Sequence, residues 1–565
     1  MQLIASQDDL IKIRESIISQ IDPSKPTITL CGGTGCGALG SQRVYEAFEI
    51  EIKRNRLQNK VVLKRTGCHG FCERGPISVI FPQEIFYQRV TPADVPVIVK
   101  KTILKNEVVK KLLYVDPKTG ERIVKESAVP FYKHQMRLVF RHNGKIDPVS
   151  IEDYIRYDGF QAMTKILYEM LPEQVVFDVK KSGLRGRGGG GFLTGLKWEL
   201  CRKSLEKERY VICNGDEGDP GAFMDRSVME GDPYAVLEGL AIAGYAIGAK
   251  KGYIYVRAEY PLAVTNLTLA IEKATQVGLL GKNILGKGFD FEIIIKQGAG
   301  AFVCGEETAL IASIEGKRGM PNPRPPFPAE KGLWGKPTII NNVETLVNLP
   351  LIILKGADWY ASIGTEGSKG TKIFALAGKI NNTGLVEVPM GTTLRKIIED
   401  IGGGIPKGRH FKAVQMGGPS GGCVPPEYLD LPVDYESIKA AGAIMGSGGM
   451  IVMDNTTCMV DIARYFMDFC QKESCGKCVP CRIGTKRMLE IVTRFTEGKA
   501  QTGDIEKLYN LAISVRDASL CGLGQTAPNP VLSTLRYFRD EYETHLLEKY
   551  CSSSACSVIV KSPCQ

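Results

Sequence analysis

The chain has 565 residues, of which 44% are hydrophobic and 24% charged, and its formal net charge is +10. This length exceeds what one hydrophobic core can serve, so several domains are expected. The basic residues are scattered, which disfavours nucleic acid as a partner. The N-terminus lacks the apolar segment of a signal peptide, and the apolar run over residues 234–249 is too short to span a bilayer. We therefore expect a cytoplasmic protein with no direct membrane span.

The 17 cysteines are the most informative part of the composition, because without an export signal they favour metal binding over disulfides. Residues 1–110 have the pattern of a small α/β domain. Four residues separate Cys31 from Cys36, and three separate Cys68 from Cys72. Two glycine-flanked pairs at predicted strand ends are typical of a [2Fe–2S] centre; zinc and four buried free thiols are the alternatives. The segment resembles the thioredoxin-like [2Fe–2S] ferredoxin domain.

Two glycine-rich loops organise the middle third of the chain. The first, residues 182–192, contains Gly186 and a run of four glycines that begins at Gly188, so its backbone N–H groups can approach a bulky anion closely. A helix predicted over residues 196–205 adds a favourable dipole at its N-terminus. The second loop, residues 298–308, follows a predicted strand and opens another helix. A surface turn is the alternative for each loop alone.

Predicted strands in this region end in polar residues. The strand over residues 210–213 leads into several carboxylates, and the strand over residues 291–295 leads into the second glycine loop. A third segment, residues 338–345, carries two adjacent asparagines that offer donors and acceptors. Because the carboxyl ends of parallel strands meet at one edge of a sheet, these segments predict one nucleotide crevice. A further strand is predicted over residues 136–140.

The last third combines a helical pattern with clustered cysteines. Cys475, Cys478 and Cys481 have two residues between neighbours, a spacing that wraps three thiolates around one corner of a [4Fe–4S] cube. Cys521, flanked by glycines and a proline-rich turn, is the candidate for the fourth ligand. Two upstream cysteines are expected to be packed thiols: Cys458 and Cys470.

The final segment carries one histidine and three cysteines: His545, Cys551, Cys556 and Cys564. One imidazole and three thiolates could close a tetrahedral Zn²⁺ site. A metal would order a chain end that has little core of its own. Free thiols in a loose tail are the alternative.

The sequence resembles the NADH-binding flavoprotein subunit shared by respiratory complex I, NAD-linked and electron-bifurcating hydrogenases, and NAD-linked formate dehydrogenases. The resemblance covers nearly all of residues 130–545. It rests on five motifs in order: RGRGGGGFLTGLKW, NGDEGDPGAFMDR, GAGAFVCGEETALI, GLWGKPTIINNVETL and SCGKCVPCRIG.

The resemblance implies a multidomain α/β architecture. Its expected parts are a thioredoxin-like [2Fe–2S] domain (1–110), a linker (111–135), a Rossmann-like FMN/NADH-binding domain (136–350), a β-grasp, ubiquitin-like (SLBB-like) insert (366–453), a helical-bundle [4Fe–4S] domain (454–544) and a cysteine- and histidine-containing tail (545–565). No chemistry is expected in the insert, and Cys423 there is expected to be structural.

The resemblance also implies the residues of the FMN and NAD(H) sites. The FMN set is Gly186, Arg187, Gly188, Lys197, Asn214, Asp216, Glu217, Gly305, Glu306, Asn341 and Asn342. The NADH set is Phe192, Asp219, Glu307, Arg324 and Phe327. The family often has Glu at Asp219, Tyr at Phe302 and an aromatic residue at Leu200, so these positions are expected to thin the nucleotide contacts. No acid–base catalyst is implied, because hydride transfer from NADH needs none.

The implied function is a diaphorase subunit that passes electrons from NADH through FMN to iron–sulfur clusters, or in the reverse direction. The implied partners are a small thioredoxin-like [2Fe–2S] subunit and a larger iron–sulfur subunit of hydrogenase or formate dehydrogenase type, in a hetero-oligomer. One alternative is flavin-based electron bifurcation with ferredoxin. Bifurcating relatives usually continue into a two-cluster ferredoxin domain, whereas this sequence ends at Gln565. The other alternative is a non-catalytic electron-transfer scaffold.

Overall fold

The structure, a computed structural model, describes residues 2–556. Three larger β-sheets and a helical bundle build the described chain, and the first and third sheets share part of one hydrophobic core. The multidomain α/β class predicted from the sequence is confirmed. Among the described residues, no helix is long and apolar enough to cross a membrane.

The N-terminal domain is a four-stranded sheet in the order β2-β1-β3-β4, with β1 parallel to β2 and antiparallel to β3. Helix α3 packs on the sheet through Val44, Phe48 and Ile52, which share one face because they are four residues apart. The first helix, α1 (Gln7–Ser19), packs on the central domain, whose core includes Leu10. The elements of the N-terminal domain are β1 (Thr27–Cys31), α2 (Thr34–Ala38), α3 (Ser41–Arg54), β2 (Val62–Thr66), β3 (Ser78–Phe81), β4 (Ile85–Tyr87) and α4 (Val95–Ile98).

The next segment holds only short elements: β5 (Tyr114–Val115), β6 (Arg122–Ile123) and α5 (Pro130–Lys133). The strand predicted over residues 136–140 is wrong. The backbone N–H groups of Leu138, Val139 and Phe140 instead donate to the carboxylate of Glu387, each at 2.9 Å. The buried carboxylate satisfies donors that a strand would have paired with a neighbour.

The central domain is a five-stranded sheet in the order β11-β7-β8-β10-β9, parallel except for the edge strand β9. Its elements are α6 (Ile151–Arg156), α7 (Gln161–Glu169), α8 (Pro172–Lys181), α9 (Thr194–Arg202), β7 (Tyr210–Gly215), α10 (Met224–Gly231), α11 (Pro233–Ile247), β8 (Lys251–Arg257), α12 (Pro261–Gln276), β9 (Gly281–Ile284), β10 (Phe289–Gly298), α13 (Glu307–Ile314), β11 (Thr338–Asn342), α14 (Val343–Val347), α15 (Leu349–Lys355) and α16 (Ala357–Ala361).

Strand register brings the predicted loops to one edge of this sheet. Asn342 at the end of β11 lies opposite Asn214 of β7, and Gly298 at the end of β10 lies opposite Arg257 of β8. The carboxyl ends of the four parallel strands therefore open into one crevice, as the sequence predicted.

Helix α11 anchors the sheet from behind. It covers most of the apolar run over residues 234–249 and is buried almost throughout, which agrees with the expectation of a packed helix. Asp232 caps its N-terminus, Pro233 occupies the first turn, and Gly248 ends it with a φ of +77°.

The insert is a five-stranded sheet in the order β13-β12-β16-β14-β15. Its elements are β12 (Thr371–Gly378), β13 (Gly384–Pro389), β14 (Phe411–Met416), β15 (Gly422–Val424), α17 (Tyr435–Ala440) and β16 (Gly449–Asp454), with a wide helical turn at Lys396–Ile401. Cys423 is buried and its Sγ donates to Gln415, in agreement with a structural role.

The helical domain packs its amphipathic helices around a core of its own. Its elements are α18 (Met459–Lys472), α19 (Thr485–Thr496), α20 (Asp504–Ala518), α21 (Gly522–Thr526), α22 (Asn529–Tyr537) and α23 (Arg539–Leu547).

The N-terminal domain contacts the central domain through α10. A Cβ atom on Gly67 would lie 2.4 Å from the Cα of Gly231, so the two backbones meet without side chains between them. Beside this contact, the backbone N–H and the hydroxyl of Thr34 both donate to the buried carboxylate of Glu230.

Candidate functional site

The first glycine loop is held from behind by Arg187. Its guanidinium is fully buried and donates to the carbonyl oxygens of Arg185, Lys369 and Thr371 and to the hydroxyl of Tyr360. The guanidinium therefore makes its hydrogen bonds to atoms of the protein itself. Arg187 thus fastens the loop to the insert, and the side of the loop that faces the crevice is formed by glycine.

The crevice side of the loop has room for a bulky group. A Cβ atom on Gly190 would meet no heavy atom within 4 Å, and one on Gly186 would meet only a carbonyl oxygen at 3.7 Å. The loop leads into α9, which begins at Thr194 rather than at the predicted residue 196, so its N-terminus lies immediately after the loop. The Nζ of Lys197 donates to the carbonyl of Ile340 at 2.9 Å, and burial lowers the pKa of this lysine.

Asp216 is a buried carboxyl group in the crevice. Both of its carboxylate oxygens are buried and have no hydrogen-bond partner among the described residues. Asn214 fixes the loop, because its Oδ1 accepts from the N–H of Asp216 at 3.0 Å and its Nδ2 donates to the carbonyl of Gly305 at 2.9 Å. Burial raises the pKa of Asp216 to about 7. A ligand with a ring N–H would satisfy this acceptor, as FMN can.

Three other predicted FMN residues have side chains that bind the protein itself. Glu217 accepts from the backbone N–H groups of Asp225 and Arg226, each at 3.1 Å, and burial raises its pKa to about 7. Asn341 accepts from the indole of Trp198 at 2.9 Å. Asn342 caps α14 and donates to Asp225. These side chains shape the wall of the crevice.

The predicted NADH residues lie nearer the surface. Phe192 and Phe327 are 50% and 52% exposed, which is unusual for large aromatic side chains and leaves ring faces available for stacking. Glu307 pairs with Arg324 at 2.5 Å, and the guanidinium of Arg324 lies 5.9 Å from the ring centre of Phe327. At the second loop, Glu306 caps α13 by accepting from the N–H groups of two residues in its first turn.

The insert also contributes to this region, whereas the sequence predicted no chemistry there. The hydroxyl of Ser447 donates to Asp219, whose pKa burial raises to about 6. The hydroxyl of Tyr435 donates to the carbonyl of Gly186 at 2.7 Å. The insert thus supports the glycine loop and meets a carboxylate that the sequence assigned to nucleotide binding.

The four cysteines predicted for [4Fe–4S] line one cavity: Cys475, Cys478, Cys481 and Cys521. Val303 and Pro321 line the same cavity from the central domain. Lys477 fixes this contact, because its Nζ donates to the carbonyl of Pro321 at 2.6 Å. Four thiols around a common space fit the ligand set of a cubane cluster.

The N-terminal cysteines also converge. The neighbouring thiols of Cys36 and Cys68 raise the pKa of the Cys31 thiol, and the Sγ atoms of Cys68 and Cys72 are 4.0 Å apart. The N–H of Gly70 donates to the Sγ of Cys68 at 3.3 Å, a contact that would stabilise a thiolate ligand. The arrangement fits a [2Fe–2S] centre.

A third group differs from the prediction. The ligand atoms of Cys458, His545, Cys551 and Cys556 all lie within 4.8 Å of one another. Cys458, which the sequence analysis expected to be a packed thiol, is buried and also belongs to this group, because it precedes α18 and its side chain meets the end of the domain. The predicted fourth member, Cys564, lies outside the described residues. Cys470 is buried, in agreement with a packed thiol.

Comparisons with known families support this architecture. Residues 179–351 match the Nuo51 FMN-binding domain, and residues 461–545 match the NADH-ubiquinone oxidoreductase-F iron–sulfur binding region. Residues 16–103 match the thioredoxin-like [2Fe–2S] ferredoxin family, and residues 373–424 match the SLBB domain. An FMN domain joined to two iron–sulfur domains defines a class of flavin-dependent oxidoreductases.

Individual relatives narrow this class. HndC, from the NADP-reducing hydrogenase of Solidesulfovibrio fructosivorans, is 57% identical over 76% of this chain and 87% of its own length. The matching polypeptide of the NADH-quinone oxidoreductase of Escherichia coli is 43% identical over 74% of this chain and 94% of its own length. A crystal structure of an NAD⁺-reducing [NiFe]-hydrogenase matches with a TM-score of 0.65 and 29% identity, over 95% of this chain and 90% of that one.

The chain therefore belongs to the family of FMN- and iron–sulfur-containing NADH oxidoreductase subunits that includes this polypeptide of the E. coli NADH-quinone oxidoreductase. The predicted family, enzyme class and cofactors FMN, NAD(H), [2Fe–2S] and [4Fe–4S] are confirmed. Electrons pass between NADH and the clusters through FMN, as predicted.

Proposed function

We propose that this chain is the nucleotide-linked electron-transfer subunit of a hydrogenase-type complex. The relative from a hydrogenase is more similar (57%) than the quinone-linked relative from E. coli (43%). The coverage of an NAD⁺-reducing hydrogenase chain points the same way. The proposal implies a cytoplasmic hetero-oligomer that contains a larger hydrogenase subunit and a small [2Fe–2S] subunit.

One observation carries the proposed electron route. The cavity of the four C-terminal cysteines is lined by Val303, which belongs to the turn that leads into Glu306 and α13. The same turn receives the amide of Asn214 through the carbonyl of Gly305. The wall of the flavin crevice is thus also the wall of the cluster cavity, so electrons would cross a single layer of protein.

The chain's own residues would position the reactants. The glycine loop and the N-terminus of α9 would bind a phosphate, and Asp216 would accept a hydrogen bond from the flavin ring. Phe192 and Phe327 would stack on adenine, and Glu307 with Arg324 would contact ribose. When bound, FMN exchanges a hydride with NADH and passes electrons singly to iron–sulfur clusters.

Arg187 has a positioning role in this proposal. Its buried guanidinium would hold the glycine loop in the shape that presents backbone N–H groups to the phosphate. Glu217, Asn341 and Asn342 would act in the same way, because their side chains bind neighbouring parts of the crevice wall.

The test is anaerobic co-purification from the native cell, followed by reduction of a viologen dye with NADH or NADPH, with and without ferredoxin. Dye reduction by one nucleotide alone, together with hydrogenase polypeptides in the preparation, is expected. Formate dehydrogenase polypeptides in the preparation would instead identify a formate dehydrogenase as the partner. Strict dependence of physiological turnover on ferredoxin would favour bifurcation, and a complex without flavin or activity would favour the scaffold.

A further inference from the structure

We propose that Cys458, His545, Cys551 and Cys556 bind a structural Zn²⁺ ion that joins the beginning and the end of the helical domain. This site does not depend on the electron route proposed above. It differs from the site that the sequence predicted, because Cys458 takes the place expected for Cys564.

The distances within the group match a tetrahedral zinc site. With Zn–S bonds of about 2.3 Å and Zn–N bonds of about 2.0 Å, a regular tetrahedron has edges of about 3.8 Å between sulfurs and about 3.5 Å between sulfur and nitrogen. The Sγ atoms of Cys458 and Cys556 are 3.8 Å apart, and each lies 3.6 Å from the Nε2 of His545. The Sγ of Cys551 completes the group within the common limit of 4.8 Å.

The imidazole is oriented for metal binding. The Nδ1 of His545 lies 2.7 Å from the carbonyl oxygen of Glu541, an acceptor, so Nδ1 carries the proton and Nε2 keeps its lone pair. That lone pair points at the thiols of Cys458 and Cys556. A histidine held by a backbone carbonyl in this way is the usual arrangement around zinc.

The surroundings favour a closed structural site. All four side chains are buried, which leaves no open position for a water or a substrate. The N–H of Asp461 donates to the Sγ of Cys458 at 3.4 Å and would stabilise the thiolate. Metal binding would displace the three thiol protons to solvent, so no oxidant or reductant is required.

The position of the site gives the metal its role. Cys458 precedes α18, which leads to the first cluster cysteine, whereas the other three ligands lie at or beyond α23. The ion would close a loop of 98 residues that contains all four cysteines of the cluster cavity. Glu541 reinforces this closure, because its carboxylate accepts from the N–H of Met459 at 2.9 Å and pairs with Lys412 of the insert at 2.8 Å.

Elemental analysis by mass spectrometry of the anaerobically purified, chelator-free complex tests the proposal. The expected result is about one zinc ion per chain in addition to the iron of the clusters. The variants Cys458→Ser and Cys556→Ser should lose this zinc, whereas Cys423→Ser, which changes a buried thiol outside the group, should keep it. Wild-type complex without zinc, or a Cys556→Ser variant that keeps its zinc, would overturn the proposal.

A second measurement covers variants that fail to fold. Cells grown with cobalt in place of zinc should yield wild-type complex with the visible absorption of tetrahedral, thiolate-bound Co²⁺. Alkylation and mass analysis of the wild type should find the thiols reduced, and a disulfide between Cys458 and Cys556 would contradict metal binding. Flavin content, measured on the same samples, reports separately on the proposed electron-transfer function.

Discussion

The two iron–sulfur sites differ in how they meet the rest of the molecule. The N-terminal site is the more enclosed, since only Cys72 of its four cysteines is partly exposed. Thr34, beside its cysteines, bonds to Glu230, and the neighbouring Gly70 accepts from the backbone N–H of Leu385 in the insert. The C-terminal site reaches the surface, where Val479 and Ile483, next to its cysteines, are 58% and 44% exposed. Two of its four cysteines, Cys475 and Cys478, are partly exposed as well.

From this difference in burial we expect the enclosed site to exchange electrons with neighbours inside the chain and the exposed site to pass them to another subunit. Four variants test this expectation.

Loss of the exposed site should have the largest effect. The variant Cys478→Ser removes one of four cubane ligands, so we expect turnover with the physiological partner to fall to background. Reduction of a small dye directly at the flavin should continue. Electron paramagnetic resonance and turnover assays measure both. Cys470→Ser, a buried thiol on α18 outside the cavity, serves as the control; undiminished partner turnover in Cys478→Ser would place the exit elsewhere.

The next largest effect is expected for Arg187, which links the glycine loop to the insert. Arg187→Lys cannot reproduce the fork of bonds to three carbonyls and Tyr360, so we expect a loss of about 2–3 kcal/mol in the free energy of unfolding. Flavin should be lost in parallel, because the loop is no longer held. Thermal unfolding and flavin content measure this.

The matched control for Arg187→Lys is Arg395→Lys, which alters an exposed pair with Asp430 and should leave the stability nearly unchanged. Equal effects of the two substitutions would contradict a special role for the buried guanidinium.

The third prediction concerns Asp216, in the crevice that shares a wall with the exposed iron–sulfur site. Burial raises the pKa of Asp216 from its ordinary value of 3.8 to about 7, so the flavin-free fold favours the neutral carboxyl. The stability that this preference contributes is lost between about pH 4 and pH 7. An N–H donor of FMN would favour the ionised form. We therefore expect flavin affinity to increase as the pH rises towards about 7, by up to about tenfold per pH unit, and to level off above pH 7.

Fluorescence titration of flavin against pH measures this dependence. Glu217 and Asp219 are also buried carboxyls with raised pKa values, so the comparison with Asp216→Asn isolates one group. The asparagine variant should show a flatter profile. The same slope in both proteins would mean that Asp216 does not accept a hydrogen bond from the flavin.

The smallest effect is expected from the enclosed site. Cys68→Ser should abolish the [2Fe–2S] resonance while turnover with the physiological partner decreases less than in Cys478→Ser, because the exposed cluster still connects the flavin to the surface. Iron content and turnover measure this. A larger loss than in Cys478→Ser would reverse the contrast between the two sites.

Short-range patterns in the sequence predict much of the molecule. Cys475, Cys478 and Cys481 lie on one segment, so their spacing alone indicates a cluster. The rule that parallel strands end at one edge brings Asn214 and Asn342 together without any coordinates. Both inferences use features that are local or that follow from topology.

The failures involve contacts between distant residues. Cys458 joins His545 across 87 positions, and no spacing rule reaches that far. The strand expected over residues 136–140 is lost to Glu387, about 250 positions away, because a buried carboxylate can replace a neighbouring strand as acceptor. A basic residue among glycines, such as Arg187, looks the same in sequence whether it faces a phosphate or three carbonyls.

The contact between Gly67 and Gly231 bears on how such proteins can be recombined. The N-terminal iron–sulfur domain cannot be replaced by an arbitrary homologous domain, because a single methyl group at Gly67 would collide with the Gly231 backbone. A substitute domain would need a glycine at the same place and a hydroxyl where Thr34 stands, to satisfy Glu230. The contact between the two domains therefore restricts which N-terminal domains can pack on the central domain, independently of the chemistry of either cofactor.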